Sequence, residues 1–383
     1  SRWMQMTILG WFVLQLTDSA WLVVLVGFSA SVPLLLLGLI GGYLADAVNR
    51  KWVMFGSQFA VLISSASMSF LLGTDLAEYW HSYIAAVIVG ISWALEMPSR
   101  RSSMHDLLGS SGVTNGVALD AMGMSASRMA GPALAGILIS VIGLTGAYVI
   151  VTIFISMAST LLLKFNLDQQ TNTRLSNESI LKNLVAGIKY VATERSLSIV
   201  ILITVVMNML MYPYMHLVPV IARDTLYAGP VLMGILMAGE GTGAMLGSFI
   251  IASATNIRYP NRLFLGGSLL AFVMLLTFSL SNWYAISLIA LIILGLGASG
   301  FATMQGSIVM LASKKNMRGK ALGVVSLAIG ASPLGALLEG AIANREGPEL
   351  ALGMNAGLGI ILICFTTIMI LAMTKYKRST DSY

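Results

Sequence analysis

The chain has 383 residues, 57% of them hydrophobic and 10% charged, where a soluble globular domain carries about 25% charged residues. So few charges cannot solvate a water-facing surface, which excludes soluble enzymes and binding modules and leaves an all-α integral membrane protein. The net charge of +6 does not signal nucleic acid, because the bases lie in short loops between apolar runs, where they orient a protein in a bilayer.

In chain order, apolar runs set against turn signals predict twelve spans, at 1–16, 21–44, 52–72, 82–104, 115–141, 146–166, 197–219, 230–252, 262–280, 283–311, 320–342 and 352–374. A spanning helix needs about 20 residues, so the first span is expected to lack its cytoplasmic half. The polar segment 167–196 separates an N-terminal six-helix bundle, 1–166, from a C-terminal one, 197–383. Within that segment Leu181, Leu184, Val185, Ile188 and Val191 recur at helical spacing over Ile180–Thr193. This predicts an amphipathic helix on the cytoplasmic membrane surface, read as a linker in preference to a latch.

Basic residues set the orientation. If the first span runs outward, 18 of the 22 Lys and Arg residues fall in cytoplasmic segments, Arg223 and Arg345 lie outside, and Arg2 and Arg128 fall within spans. Both termini and the middle segment are therefore expected on the cytoplasmic side.

Between the second and third spans runs Gly41-Gly42-Tyr43-Leu44-Ala45-Asp46-Ala47-Val48-Asn49-Arg50-Lys51. Gly42, Leu44, Ala45, Asp46, Arg50 and Lys51 resemble the signature loop of the major facilitator superfamily; Ala47 and Asn49 stand where that pattern has Arg and Gly. Trp3-Met4-Gln5, Leu9-Gly10-Trp11, Met97-Pro98-Ser99-Arg100, Asn115-Gly116-Val117-Ala118-Leu119, Arg128–Gly136 and Arg318–Gly323 resemble its bacterial exporter branch, which contains the enterobactin and macrolide exporters. The resemblance implies two pseudo-symmetric bundles related as parallel repeats, with a substrate site between them near the midplane. It also implies a gating network over Gly42, Asp46, Arg50, Lys51, Glu96 and Arg100. Asp46 is expected at the positive end of the third helix, and Glu96 is expected to pair with Arg50 or Arg100. Gly131-Pro132-x-x-Ala135-Gly136 resembles the antiporter motif of superfamily drug exporters, which favours export.

Charges inside spans each ask for a reason, since one at the bilayer centre costs at least ~2.5–3.5 kcal/mol. Arg128 lies about 12 residues into the fifth span, roughly 18 Å down, and Glu240 about 9 residues into the eighth from the other side, roughly 14 Å. Both sit near the midplane, on helices that the resemblance puts at the interface of the halves. They are expected to form, or compete for, a charge contact there that protonation or cargo weakens; separate satisfaction within each half is the equal alternative. Glu339, near the external end of the eleventh span, is expected to reach water, and Asp120 is explained by a helix start.

Trp11, Gln15, Trp93, Met207, Asn208, Met211, Tyr212, Phe301 and Gln305 are the candidate cavity lining, an apolar surface with scattered polar groups suited to lipophilic or amphipathic cargo. Gly239, Gly241, Gly243 and Gly247 follow no strand and lie in an apolar span, so helix packing explains them and not nucleotide binding. His81, His105 and His216 show no metal spacing, and Cys364 is alone, so neither a metal nor a disulfide framework is expected. Walker and hydrolase motifs are absent; no enzyme activity and no cofactor is expected. The expected function is a proton-coupled secondary active exporter of small amphipathic molecules, a monomer in the bacterial cytoplasmic membrane whose partners are cargo, protons and lipid. An uptake carrier or lipid transporter on the same fold, or a non-transporting receptor or scaffold, is the alternative.

Overall fold

A computed structural model describes the backbone of residues 1–47, 49–164, 180–253, 259–314 and 317–380, and within these the side chains other than those of 38–47, 101–102, 105–106, 109–115, 117–118, 180–183 and 370–380. Every regular element among the described residues is helical. Lipid offers the backbone no hydrogen-bond partners, so an apolar run satisfies its own amides by coiling.

Four helices come first: α1 (Arg2–Thr17), α2 (Ala20–Ala47), α3 (Arg50–Gly73) and the long α4 (Tyr79–Lys164). At 86 residues, a straight α4 would reach about 130 Å, several bilayers deep. It folds back twice instead. The Arg100 guanidinium lies 3.2 Å from Asp120, a pair that a straight helix would hold about 30 Å apart. The second reversal falls at Gly143, whose φ of +73° is one that residues with side chains rarely adopt. Residues on either side of it, Gly131 and Tyr148, meet successive residues of α1, Met4 and Gln5.

The rest of the chain holds α5 (Ile180–Thr193), α6 (Arg195–Val206), α7 (Val218–Asp224), α8 (Pro230–Ser253), α9 (Pro260–Ser279), α10 (Tyr284–Ala312), α11 (Arg318–Ile329), α12 (Ser332–Glu346) and α13 (Pro348–Thr380). After α6 the helix loosens into a π turn, Met207–Met211, and then tightens into a 3-10 turn, Tyr212–His216. Pro213 supplies no amide to an α-helical ladder there. A similar break at Gly330 and Ala331, just before Pro333, divides one crossing into α11 and α12. Ten stretches are long and apolar enough to cross a membrane, and one of these, Leu119–Lys164, has 46 residues and makes two passes. With the shorter α1, the described residues make twelve passes.

Helices α1 to α3 pack on α4, while α8, α9, α10 and α13 pack among themselves; the two groups meet where α4 lies on α8 and α2 lies on α12. The expected amphipathic helix α5 docks on the end of the second group. Val191 is buried, Gly187 sits against the Lys320 carbonyl, and the Lys314 amide donates to the Tyr190 hydroxyl at 3.0 Å. Val185 and Ile188, from the same predicted apolar stripe, stay exposed.

Candidate functional site

The α4–α8 seam is built from missing side chains. A methyl group on Gly136 would strike the Pro230 carbonyl, and one on Gly234 would strike the Pro132 carbonyl. Farther along, a methyl on Gly241 would lie 2.8 Å from the Met129 amide nitrogen. Backbones this close carry Arg128 and Glu240 into contact: Arg128 Nε lies 2.9 Å from Glu240 Oε2, with side-chain exposures of 24% and 2%. The contact is one of charge and not a directed hydrogen bond, since Nε and both carboxylate oxygens have no hydrogen-bond partner. Arg128 Nη2 donates to Met215 Sδ at 3.4 Å. Its guanidinium carbon lies 5.4 Å from the centre of the Trp3 ring and 6.0 Å from that of Tyr212, within cation–π range. The partly exposed base thus shields an acid buried behind it.

At the α2–α12 seam, a methyl on Gly340 would sit 3.0 Å from Trp21 and Val24. The rim above both seams holds a network that sequence reasoning missed. Arg223 Nη1 donates to Asp18 Oδ1 at 2.7 Å and to the Leu14 carbonyl at 3.0 Å, while its Nε donates to Asp224 at 2.6 Å. Thr225 donates to Glu349 beside it. Hydrogen bonds to Asp224 and Asp18 hold the Arg223 guanidinium above its already strongly basic range. The signal available in the sequence was the scarcity of bases on that side, where Arg223 and Arg345 stand alone.

At the opposite end, Gly42 and Asp46 lie outside the described side chains. The backbone of α2 runs to Ala47, so Asp46 falls in its last turn, and the start of α3 is capped by Asn49, whose side chain accepts from the Lys51 amide at 3.0 Å. Lys51 Nζ donates to the Leu163 carbonyl at 2.9 Å, covering the C-terminal end of α4. Arg50 opens α3. The expected pairing of Glu96 with Arg100 is not made: Arg100 holds Asp120, so Asp120 does more than start a helix. Glu96 accepts instead from Gln58 at 3.4 Å and lies within electrostatic reach of Arg2, whose guanidinium stacks 3.0 Å from the centre of the Trp93 ring.

Within the expected cavity lining, the Tyr212 and Phe301 rings meet with centres 6.4 Å apart, and Asn208 and Gln305 share Thr204. Trp11, Met207, Asn208, Met211, Phe301 and Gln305 are buried, Trp93 and Tyr212 half-buried, and Gln15 exposed. The polar members are absorbed locally, with Asn208 donating to the Thr204 carbonyl at 2.9 Å and Gln305 to the Thr204 hydroxyl at 2.6 Å. Phe301 stacks on Phe264. Glu339 does not reach water: it is fully buried, with Asn355 donating to Oε2 at 2.7 Å and Oε1 left without a partner.

Residues 1–382 match the family described as transmembrane secretion effector, within the major facilitator superfamily. The chain belongs to that family. As a member, it is a secondary transporter and not an enzyme, and its partners are small-molecule substrates. The staphyloferrin A transporter of Staphylococcus aureus is 25% identical to it over 99% of this chain and 94% of that protein. The multidrug efflux pump Tap of Mycobacterium tuberculosis is 23% identical over 88% and 82%. Among solved structures, the nucleoside transporter NupG superposes with a TM-score of 0.70 at 12% identity, covering 96% of this chain and 97% of that one. A POT family transporter bound to a thioalcohol-conjugated peptide gives 0.73 at 12%, covering 98% and 94%. At such identities the structural likeness speaks for the fold alone.

Proposed function

We propose that this facilitator exports small lipophilic or amphipathic molecules in exchange for protons, by alternating access between two bodies, 1–166 and 197–383, joined by the segment 167–196. The observation that carries the reading is the Arg128–Glu240 contact, a charge pair across the seam between the groups with no directed hydrogen bonds. A proton on Glu240 removes its charge, leaves Arg128 to water or cargo, and loosens α4 from α8. Gly42, Asp46, Arg50, Lys51, Glu96 and Arg100 act as the gate of the opposite end, and Gly131, Pro132 and Gly136 keep the fifth pass close enough to α8 for the pair to form. The excess of bases in one set of loops puts both termini in the cytoplasm of a bacterial cell, and the rim of Asp18 and Arg223 outside. On this topology the closed seams face outward. Export is supported by the relative named as a multidrug efflux pump. The protein works as a monomer within the cytoplasmic membrane.

A second reading follows from the exposed side of Arg128 and the relative named for staphyloferrin A: an anionic cargo takes the place of the Glu240 carboxylate on the guanidinium. Reconstitution in vesicles of known orientation tests both, with ethidium and staphyloferrin A as probes and an imposed pH gradient as the drive. The proposal requires gradient-driven ethidium movement out of the cytoplasmic side that the Glu240→Gln variant loses. Undiminished, pH-coupled ethidium transport by that variant rules out the coupling role, and movement of staphyloferrin A alone selects the second reading.

A further inference from the structure

Among the described residues Glu339 is the second acid buried within the membrane-spanning part, and the exchange proposed for Arg128 and Glu240 makes no use of it. It is fully buried, accepts one hydrogen bond from Asn355 of α13, and leaves Oε1 unpaired. Among the described residues, no cation on the elements packed against it pairs with it. The described part of α2 (Ala20–Leu37) carries no titratable group. The 3-10 turn brings Tyr212, Tyr214 and His216, α13 brings Glu349 and Cys364, and α12 itself adds Arg345 and Glu346. Among the described residues none of these makes an ion pair or hydrogen bond with Glu339. A carboxylate held in such a place has neither water nor a counter-charge to repay its lost solvation, whereas the neutral acid needs neither.

Its position gives that proton something to do. One helical turn before Glu339, on the same face of α12, Gly335 lies directly against the Met209 carbonyl in the π turn. The 3-10 turn that follows carries Met215 and Tyr212, both in contact with Arg128. The irregular segment Met207–His216 is therefore flanked by Glu240, acting through Arg128, and by Glu339, acting through α12. A 3-10 stretch within a helix often marks a functional hinge, and π turns are frequent at functional sites. Gly340, the residue after Glu339, makes the α2–α12 seam.

We infer that Glu339 is a second proton-binding carboxyl, neutral while the α2–α12 seam is shut and ionised when that seam opens and admits water. The proton passes from one bulk phase to the carboxylate and from the acid to the other bulk phase, with no other reactant. The inference deepens the proposed proton exchange and rests on it for its role in transport, but the protonation itself is open to direct measurement.

Infrared difference spectroscopy of the purified protein in lipid, scanned across pH, reads the carboxylic C=O stretch without any cargo. The expected result is a C=O band that titrates, is lost in Glu339→Gln and persists in Glu240→Gln. The side-chain carbonyl introduced by Glu339→Gln would still accept from Asn355, so that variant keeps its packing. Should it fail to fold, Asn355→Leu in the otherwise native chain shifts the same band to higher frequency by removing its hydrogen bond. A band unaffected by both changes, or one that stays protonated at every pH at which the protein is folded, overturns the inference. Ethidium transport by Glu240→Gln, measured in parallel, judges the first proton site independently: loss of coupling there with no titrating Glu339 band leaves one proton site and not two.

Discussion

Arg223 reaches from α7 to Asp18 at the end of α1, 205 residues earlier, and donates at 2.7 Å to its carboxylate. Asp18 adopts a left-handed conformation, φ +49°, as the C-cap of α1, so the cap that ends the helix also presents the carboxylate to the other group. The Asp18 side chain is 80% exposed and that of Arg223 26%, so solvent screens the pair. Its worth is then about 0.2–1 kcal/mol, which is up to about a fivefold change in the population of the closed rim. Asp18→Asn should open the rim by this amount, and exchanging the charges in Asp18→Arg with Arg223→Asp should restore closure. Spin-label distances between the loops after α1 and α7, in a chain whose single cysteine, Cys364, is replaced by Ala, supply the measurement. Because the Arg223 guanidinium is raised further above its ordinary range, the loss of its charge as pH rises comes only in strong alkali. Rim opening that tracked mild alkalinity would contradict this assignment.

At the Arg128–Glu240 contact the two partners are not equivalent. Glu240 is 2% exposed and Arg128 24%, so Arg128 has water to fall back on when its partner goes, and Glu240 does not. Breaking a buried pair from one side costs about 3–5 kcal/mol. Arg128→Met should approach that range near neutral pH, while Glu240→Gln should fall well below it. The gap between the variants should narrow in acid, where a proton relieves the stranded Glu240 of its charge. Thermal denaturation in detergent at two pH values reads the difference, and equal losses at both would show the pair to be symmetric.

Sequence pattern carried the parts of this structure that depend on periodicity, and lost those that depend on what lies alongside. Helical rise alone puts Arg128 and Glu240 at one depth. The proline before Leu334 announces the break between α11 and α12, but nothing in Met207–Met211 announces a π turn. Glu339 was expected to meet water because counting from a helix end gives depth and says nothing of α13, whose Asn355 covers it. The cavity expectation meets a related consideration. Asn208 and Gln305 find their partners on Thr204, within the second group, and a polar residue so satisfied has no need to face an aqueous pocket. Arg223 and Asp18 carry no periodic signal and are joined only by the fold.

Gln5 offers a test of stability separate from transport. Its side chain is fully buried in α1 and donates to the Ser65 hydroxyl at 3.1 Å and to the Tyr148 hydroxyl at 2.9 Å, tying α1 to α3 and to the last pass of α4. Tyr148→Phe keeps the ring and removes one acceptor, leaving part of a buried amide unpaired. The loss should be about 1–3 kcal/mol in denaturant unfolding, with gradient-driven ethidium transport retained at temperatures where the variant is folded. Loss of transport in a fully folded variant would move Gln5 from the scaffold to the mechanism.

Two glycines in neighbouring crossings separate the effect of closeness from that of composition. Gly234→Ala places a methyl group against the Pro132 carbonyl, whereas a methyl on Gly123 meets nothing within 4 Å. Both changes replace glycine by a better helix former, worth about 0.5–1 kcal/mol in favour of each variant if nothing else intervenes. At Gly234 overpacking opposes this by about 1–3 kcal/mol, and because the obstacle is backbone it is relieved by parting α4 from α8 and not by a rotamer change. Gly234→Ala should therefore lose stability and lengthen the spin-label distance across that seam, while Gly123→Ala should gain slightly and leave the distance alone. The same parting stretches the 2.9 Å contact between Arg128 and Glu240, so Gly234→Ala should also weaken the dependence of ethidium transport on the pH gradient. A Gly234→Ala variant with native distances and native coupling would mean that the seam tolerates a side chain, and that the approach of the two helices is not what holds the charge pair together.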